Sequence, residues 1–217
     1  MSLERLQTLA VALLASATIA HAAESITIVE TRPIATTHIA PGATHDLTLH
    51  AYTFRGTRWN SDDIAAAVTD AAKLLSQCGI MLAAADLNVI EAPRRFRDYY
   101  TSLSRELLRQ MDAPKPAVFF VQDTRNRPAF DAEAIGLANA KRRPELANTL
   151  WVAYGARDLP HAIAHELAHV LSNNGAHSDE PENLMRSETS PQNTRLTAAQ
   201  CELIRTRGEA NGLLRRR

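Results

Sequence analysis

The stretch HELAHVLSNNGAH, residues 165–177, sets two imidazoles four residues apart, with a carboxylate directly after the first. At 3.6 residues per turn, His165 and His169 leave a helix side by side, so both ring nitrogens can reach one cation. Glu166 is rotated aside and is badly placed to be a third ligand, but it can reach a water held by that cation and take its proton. That is the physical content of an HExxH pattern, read as a hydrolytic zinc site. A catalytic zinc ion takes three protein ligands and keeps a fourth position open. The leading candidate for the third is His177. Asn173-Asn174-Gly175 before it tolerates the positive φ that ends a helix and turns the chain back. Asp179 is an alternative, as is Glu188 if a following helix supplies the ligand. His161, one turn before His165, reads as a first-turn surface histidine outside the site.

These side chains need a rigid support, and DLPHAIAHELAHVLS (158–172) supplies a helix. Asp158 can cap it, and Pro160 is tolerated because it falls in the first turn. Ile163, Leu167, Val170 and Leu171 fall on one face, with the histidines roughly opposite. This predicts one face packed on a sheet and the other looking into a cleft.

The rest of the chain predicts that sheet. SITIVET (25–31) and DLTLHAYTF (46–54) alternate like strands, with a turn at Pro41-Gly42 between them. Asn60 or Ser61 caps a helix whose apolar positions are Ile64, Val68, Ala71 and Leu75, and Gly79 stops it. Residues 80–92 read as a strand, 94–111 as a helix, and PAVFFVQD (116–123) as a buried strand. AIGLANA (134–140) and NTLWVAYG (148–155) are further strands, and a last helix runs from about Leu196 to Arg207. The pattern predicts an α/β (α+β) fold, one domain with a mixed sheet, an active-site helix and a C-terminal helix. No internal repeat or low-complexity tract is visible.

The chain has 217 residues and no net charge. Nothing in that balance resembles the basic footprint of a nucleic-acid binder. Residues 1–22 read as a signal peptide: Arg5, an apolar run from Leu9 to Ala20, then Ala20-His21-Ala22 before the cut. The run is too short to span a bilayer stably, and no later segment approaches the length required. The expected product is an exported chain, periplasmic or secreted, with no membrane segment. Within it, 23–45 is an N-terminal extension with the first strand, 46–210 the catalytic domain, and 211–217 a basic tail ending in Arg215-Arg216-Arg217. Two cysteines remain, Cys78 and Cys201, and an even count in an oxidising compartment predicts a disulfide.

The residues His165-Glu166-x-x-His169, His177 and Asn183-Leu184-Met185 resemble the metzincins, the zinc peptidase group that includes matrixins and astacins. The resemblance implies one catalytic zinc ion on His165, His169 and His177, Glu166 as general base, and Met185 as the methionine of a turn beneath the site. It also implies a peptide or protein substrate laid along an edge strand, for which AIGLANA is the counterpart. Two features depart from the family pattern HExxHxxGxxH. Ser172 stands at its glycine and Gly175 at its third histidine, so that His177 comes two residues late. Met185 is followed by Arg186-Ser187 and not by a tyrosine. Other readings are a catalytically inactive zinc-stabilised binding protein on a peptidase scaffold, or a zinc peptidase using Glu188.

Overall fold

The computed structural model describes residues 25–36, 42–125, 134–137 and 142–217. The signal-peptide reading and Ala138–Ala140 of the AIGLANA segment lie outside them. Within them the chain forms seven strands and four α-helices in one mixed sheet flanked by helices.

Strand β1 (Thr27–Pro33) and strand β2 (His45–Phe54) do not form a hairpin with each other. β2 leads into helix α1 (Ser61–Leu75), where the Asn60 side chain accepts from Asp62 N at 2.7 Å and Asp63 N at 3.3 Å. The chain leaves through a short 3-10 turn to Gly79, whose φ of 71° suits a residue without Cβ. It returns as β3 (Ile80–Glu91), parallel to β2, while β1 adds antiparallel to β3 and forms one edge.

The predicted 94–111 helix is broken. Arg94–Phe96 is a 3-10 turn, and helix α2 covers only Thr101–Gln110. Between them the backbone is held by a neighbouring segment: Tyr99 N donates to Asp123 O at 2.8 Å, and Arg125 N donates to Tyr99 O at 2.8 Å. Helical periodicity is overridden there by tertiary hydrogen bonds.

Strands β4 (Ala117–Val121) and β6 (Thr149–Ala153) follow in parallel and are buried at every residue. That burial explains their continuous apolar runs. β5 (Ala134–Leu137) pairs antiparallel with β6 and forms the second edge, completing the order β1-β3-β2-β4-β6-β5. Alternate residues of the central strands feed two cores. On one face Leu47, Leu49, Val118, Phe120, Leu150 and Val152 meet α1, helix α3 (Leu159–Ser172) and helix α4 (Ala198–Ala210). On the other, Tyr52, Phe119 and Trp151 stack at centroid distances of 4.8 and 4.4 Å beneath Tyr99 and Leu107.

Two further features fix the C-terminal part. Cys78 and Cys201 form a disulfide across 123 residues, tying the end of α1 to α4. Of the C-terminal arginines, expected as a solvated tail, Arg215 and Arg216 belong to strand β7 (Leu214–Arg216), which pairs antiparallel with His45–Leu47 of β2. Leu214 is buried against α4, and Arg215 and Arg217 reach Asp46 at 3.1 and 3.2 Å.

Candidate metal centre

Helix α3 is enclosed more fully than its sequence predicts. Every residue from Ala162 to Ser172 is buried, including His165, Glu166 and His169, because α1, α4 and β5 close around it. Asp158 does occupy the N-cap, but in the left-handed region at φ 50° and without a side-chain cap bond. At the other end Asn173, at φ 49°, takes the left-handed conformation that stops the helix, and its N–H returns to His169 O and Val170 O.

The turn brings His177 back, so that His165, His169 and His177 form a group whose ligand atoms all lie within 4.8 Å of one another. His169 Nε2 is 3.0 Å from His165 Nε2 and 3.3 Å from His177 Nε2. Among the described residues Asp179 and Glu188 are not in this group; both are exposed, and the Glu188 carbonyl instead accepts from Asn193 Nδ2 at 2.8 Å. His161 is half-buried and also outside it.

The outer nitrogens decide the protonation of the inner ones. His165 Nδ1 donates to Leu184 O at 2.7 Å, and His169 Nδ1 donates to Asn174 O at 2.6 Å. Burial first, then the neighbouring histidines, push His165 down to about 4, and burial likewise lowers His169. Both rings are therefore neutral at pH 7, with the proton on Nδ1 and a bare lone pair on Nε2. The two Nε2 atoms at 3.0 Å are then two acceptors face to face, an arrangement that favours a cation between them. Zinc–nitrogen bonds of about 2.0–2.1 Å in a tetrahedron place neighbouring nitrogens roughly 3.3–3.4 Å apart. The His165–His169 and His169–His177 separations of 3.0 and 3.3 Å lie near that value.

Leu184 belongs to the segment read as the methionine turn. Ser178 N donates to Met185 O at 2.7 Å, Leu184 N donates to Arg195 O at 2.7 Å, and Met185 N donates to Asn183 Oδ1 at 2.8 Å. Asn183 Nδ2 continues to Gln200 Oε1 at 3.0 Å, at the start of α4. Met185 is buried and lines a cavity of about 100 Å³ together with His177, Ala168 and Ile204.

Glu166 points toward the sheet edge, where its carboxylate accepts from Gly136 N–H of β5. Burial pushes Glu166 up to about 7, and the Gly136 hydrogen bond works in the opposite direction. Glu166 is legible in the sequence, whereas Gly136 and the Leu184 and Asn174 carbonyls are not. A glycine within a short strand was the available signal for Gly136, since it marks close backbone approach.

The fold is one that occurs among metalloproteinases. The solved structure of metalloproteinase-II from Bacteroides fragilis is similar to this chain with a TM-score of 0.52 over 82% of its residues, at 19% sequence identity. This chain spans 57% of that protein's length. No protein-family model and no curated protein matches the sequence.

Proposed function

We propose that this chain is an exported zinc-dependent metalloendopeptidase of the metzincin type, its catalytic domain reaching beyond the expected 46–210 to include β1 and β7 of the same sheet. The observation that carries the reading is the pair of Nε2 lone pairs at 3.0 Å, their tautomers fixed by two backbone carbonyls, with His177 completing the group. The fold shared with a metalloproteinase and the disulfide, typical of oxidising compartments, support it.

His165, His169 and His177 would hold one zinc ion, which would supply Lewis-acid polarisation of the scissile carbonyl and acidify a water. Glu166 accepts the proton of the attacking water through its carboxylate and passes it to the leaving amine. Its burial against β5 keeps bulk solvent from the carboxylate that takes and returns the proton. β5, as an edge strand, offers backbone groups to an extended peptide and orients it across the site. Met185 forms an apolar floor and contributes no ligand.

The test is cleavage of an unstructured protein by the zinc-loaded chain from Ala23, with Glu166→Gln as control. Zinc content unchanged and turnover reduced roughly 10²–10⁴-fold in the variant is the expected result. Zinc-loaded wild type that cleaves nothing, or a variant as active as wild type, would overturn the reading.

A further inference from the structure

Gly136 is the point where the sheet edge touches α3. Asn148 N donates to Leu137 O, so Leu137 faces β6, and the N–H of Gly136, one residue earlier, faces away from the sheet toward Glu166. A Cβ on Gly136 would lie 2.7 Å from Glu166 Oε2 and 2.8 Å from the Glu166 carbonyl oxygen. Gly136 is not among the residues with positive φ, so its backbone angles are open to any residue. The glycine answers a need for space: only a bare Cα lets the strand come near enough for its N–H to reach the carboxylate.

We infer that Gly136 is a positioning residue of the proposed peptidase, fixing the Glu166 carboxylate with its backbone N–H and setting the strand-to-helix distance by its missing side chain. The inference rests on Glu166 being the base. One oxygen of the carboxylate is pinned by the strand, which leaves the other to meet water. The same N–H is one of the donors that an added peptide strand would use along β5. Because Glu166 takes it, a substrate pairs with β5 around Gly136 and not through its N–H.

The first readout needs no activity. In ¹⁵N-glycine-labelled protein the eight glycines give few amide signals, and the one lost in Gly136→Ala is assigned to Gly136. That amide proton is expected downfield of the other glycines and slow to exchange, with and without zinc, and to move upfield in Glu166→Gln. An amide indifferent to Glu166→Gln would overturn the contact.

The second readout is kinetic. Gly136→Ala should lower kcat about a hundredfold at little-changed KM and unchanged zinc content, as a displaced catalytic group does. Glycolic acid at position 136 keeps the shape and replaces the N–H by an ester oxygen; it should lower kcat roughly ten- to a hundredfold. If Gly136→Ala does not fold, the ester variant decides. kcat within twofold of wild type in the ester variant would overturn the positioning role. Wild type without peptidase activity would instead overturn the peptidase reading, and the amide readout would still decide whether Gly136 holds Glu166.

Discussion

The carbonyl of Leu184 receives the Nδ1 proton of His165 at 2.7 Å, across nineteen residues of chain. This one bond ties the first histidine to the segment that follows the third. It turns the Nε2 lone pair of His165 inward, and the segment that supplies it is itself held by Asn183.

Asn183 sits between Met185 N and Gln200, so its side chain keeps the Leu184 carbonyl where His165 needs it. Asn183→Ala removes both links without touching a proposed ligand. Loss of such outer support typically weakens metal binding about 10–100-fold. A competition titration with a zinc chelator should show a weakening of that order; unchanged affinity would show that Leu184 is held by other means.

The pH dependence of the metal-free protein follows from three groups with opposing signs. Unfolded histidine titrates near 6.5, while burial holds His165 at about 4 and lowers His169 as well. Between those values the unfolded chain binds more protons, so stability is lost as pH falls from 6.5 toward 4. Glu166 acts in reverse, since folding lifts it from 4.5 to about 7 and its contribution is lost as pH rises through that window. In wild type the two slopes partly offset each other. In metal-free Glu166→Gln the histidine slope of the site is no longer opposed, and stability should fall by about 3 kcal/mol from His165 on acidification. Urea unfolding at several pH values checks this, and a flat profile in the variant would contradict it.

The Cys78–Cys201 disulfide is buried at both ends, and it restrains a 123-residue separation in the unfolded chain. Replacing both by alanine should cost about 2–5 kcal/mol. Comparison of urea midpoints for the two proteins, with reduced wild type as a third sample, measures it. A variant as stable as wild type would mean that α1 and α4 are held by packing alone.

Much of the architecture and the core of the site are legible in the sequence because they depend on short-range patterns. His165 and His169 show themselves by helical spacing, and the Asn173 stop by turn chemistry, which together locate His177. The disulfide follows from cysteine count. What escapes depends on distant partners. The helix expected over 94–111 is interrupted because Tyr99 bonds Asp123 and Arg125 across the fold. The arginine-rich terminus reads as a tail until Asp46 and β2 are placed beside it. α3 reads as two-faced, yet α1, α4 and β5 bury it all round. Gly136 reaches Glu166 over thirty residues, and no local pattern announces that meeting.

Zinc-edge X-ray absorption on the purified chain reads at first hand whether His165, His169 and His177 share one zinc ion. Wild type should hold about one zinc with three imidazole nitrogens at roughly 2.0–2.1 Å and a water in the fourth position. His177→Ala should lose most of the metal or show one imidazole fewer. Three imidazoles retained in His177→Ala, or no zinc in either protein after reconstitution, would rule out a zinc site built on His165, His169 and His177.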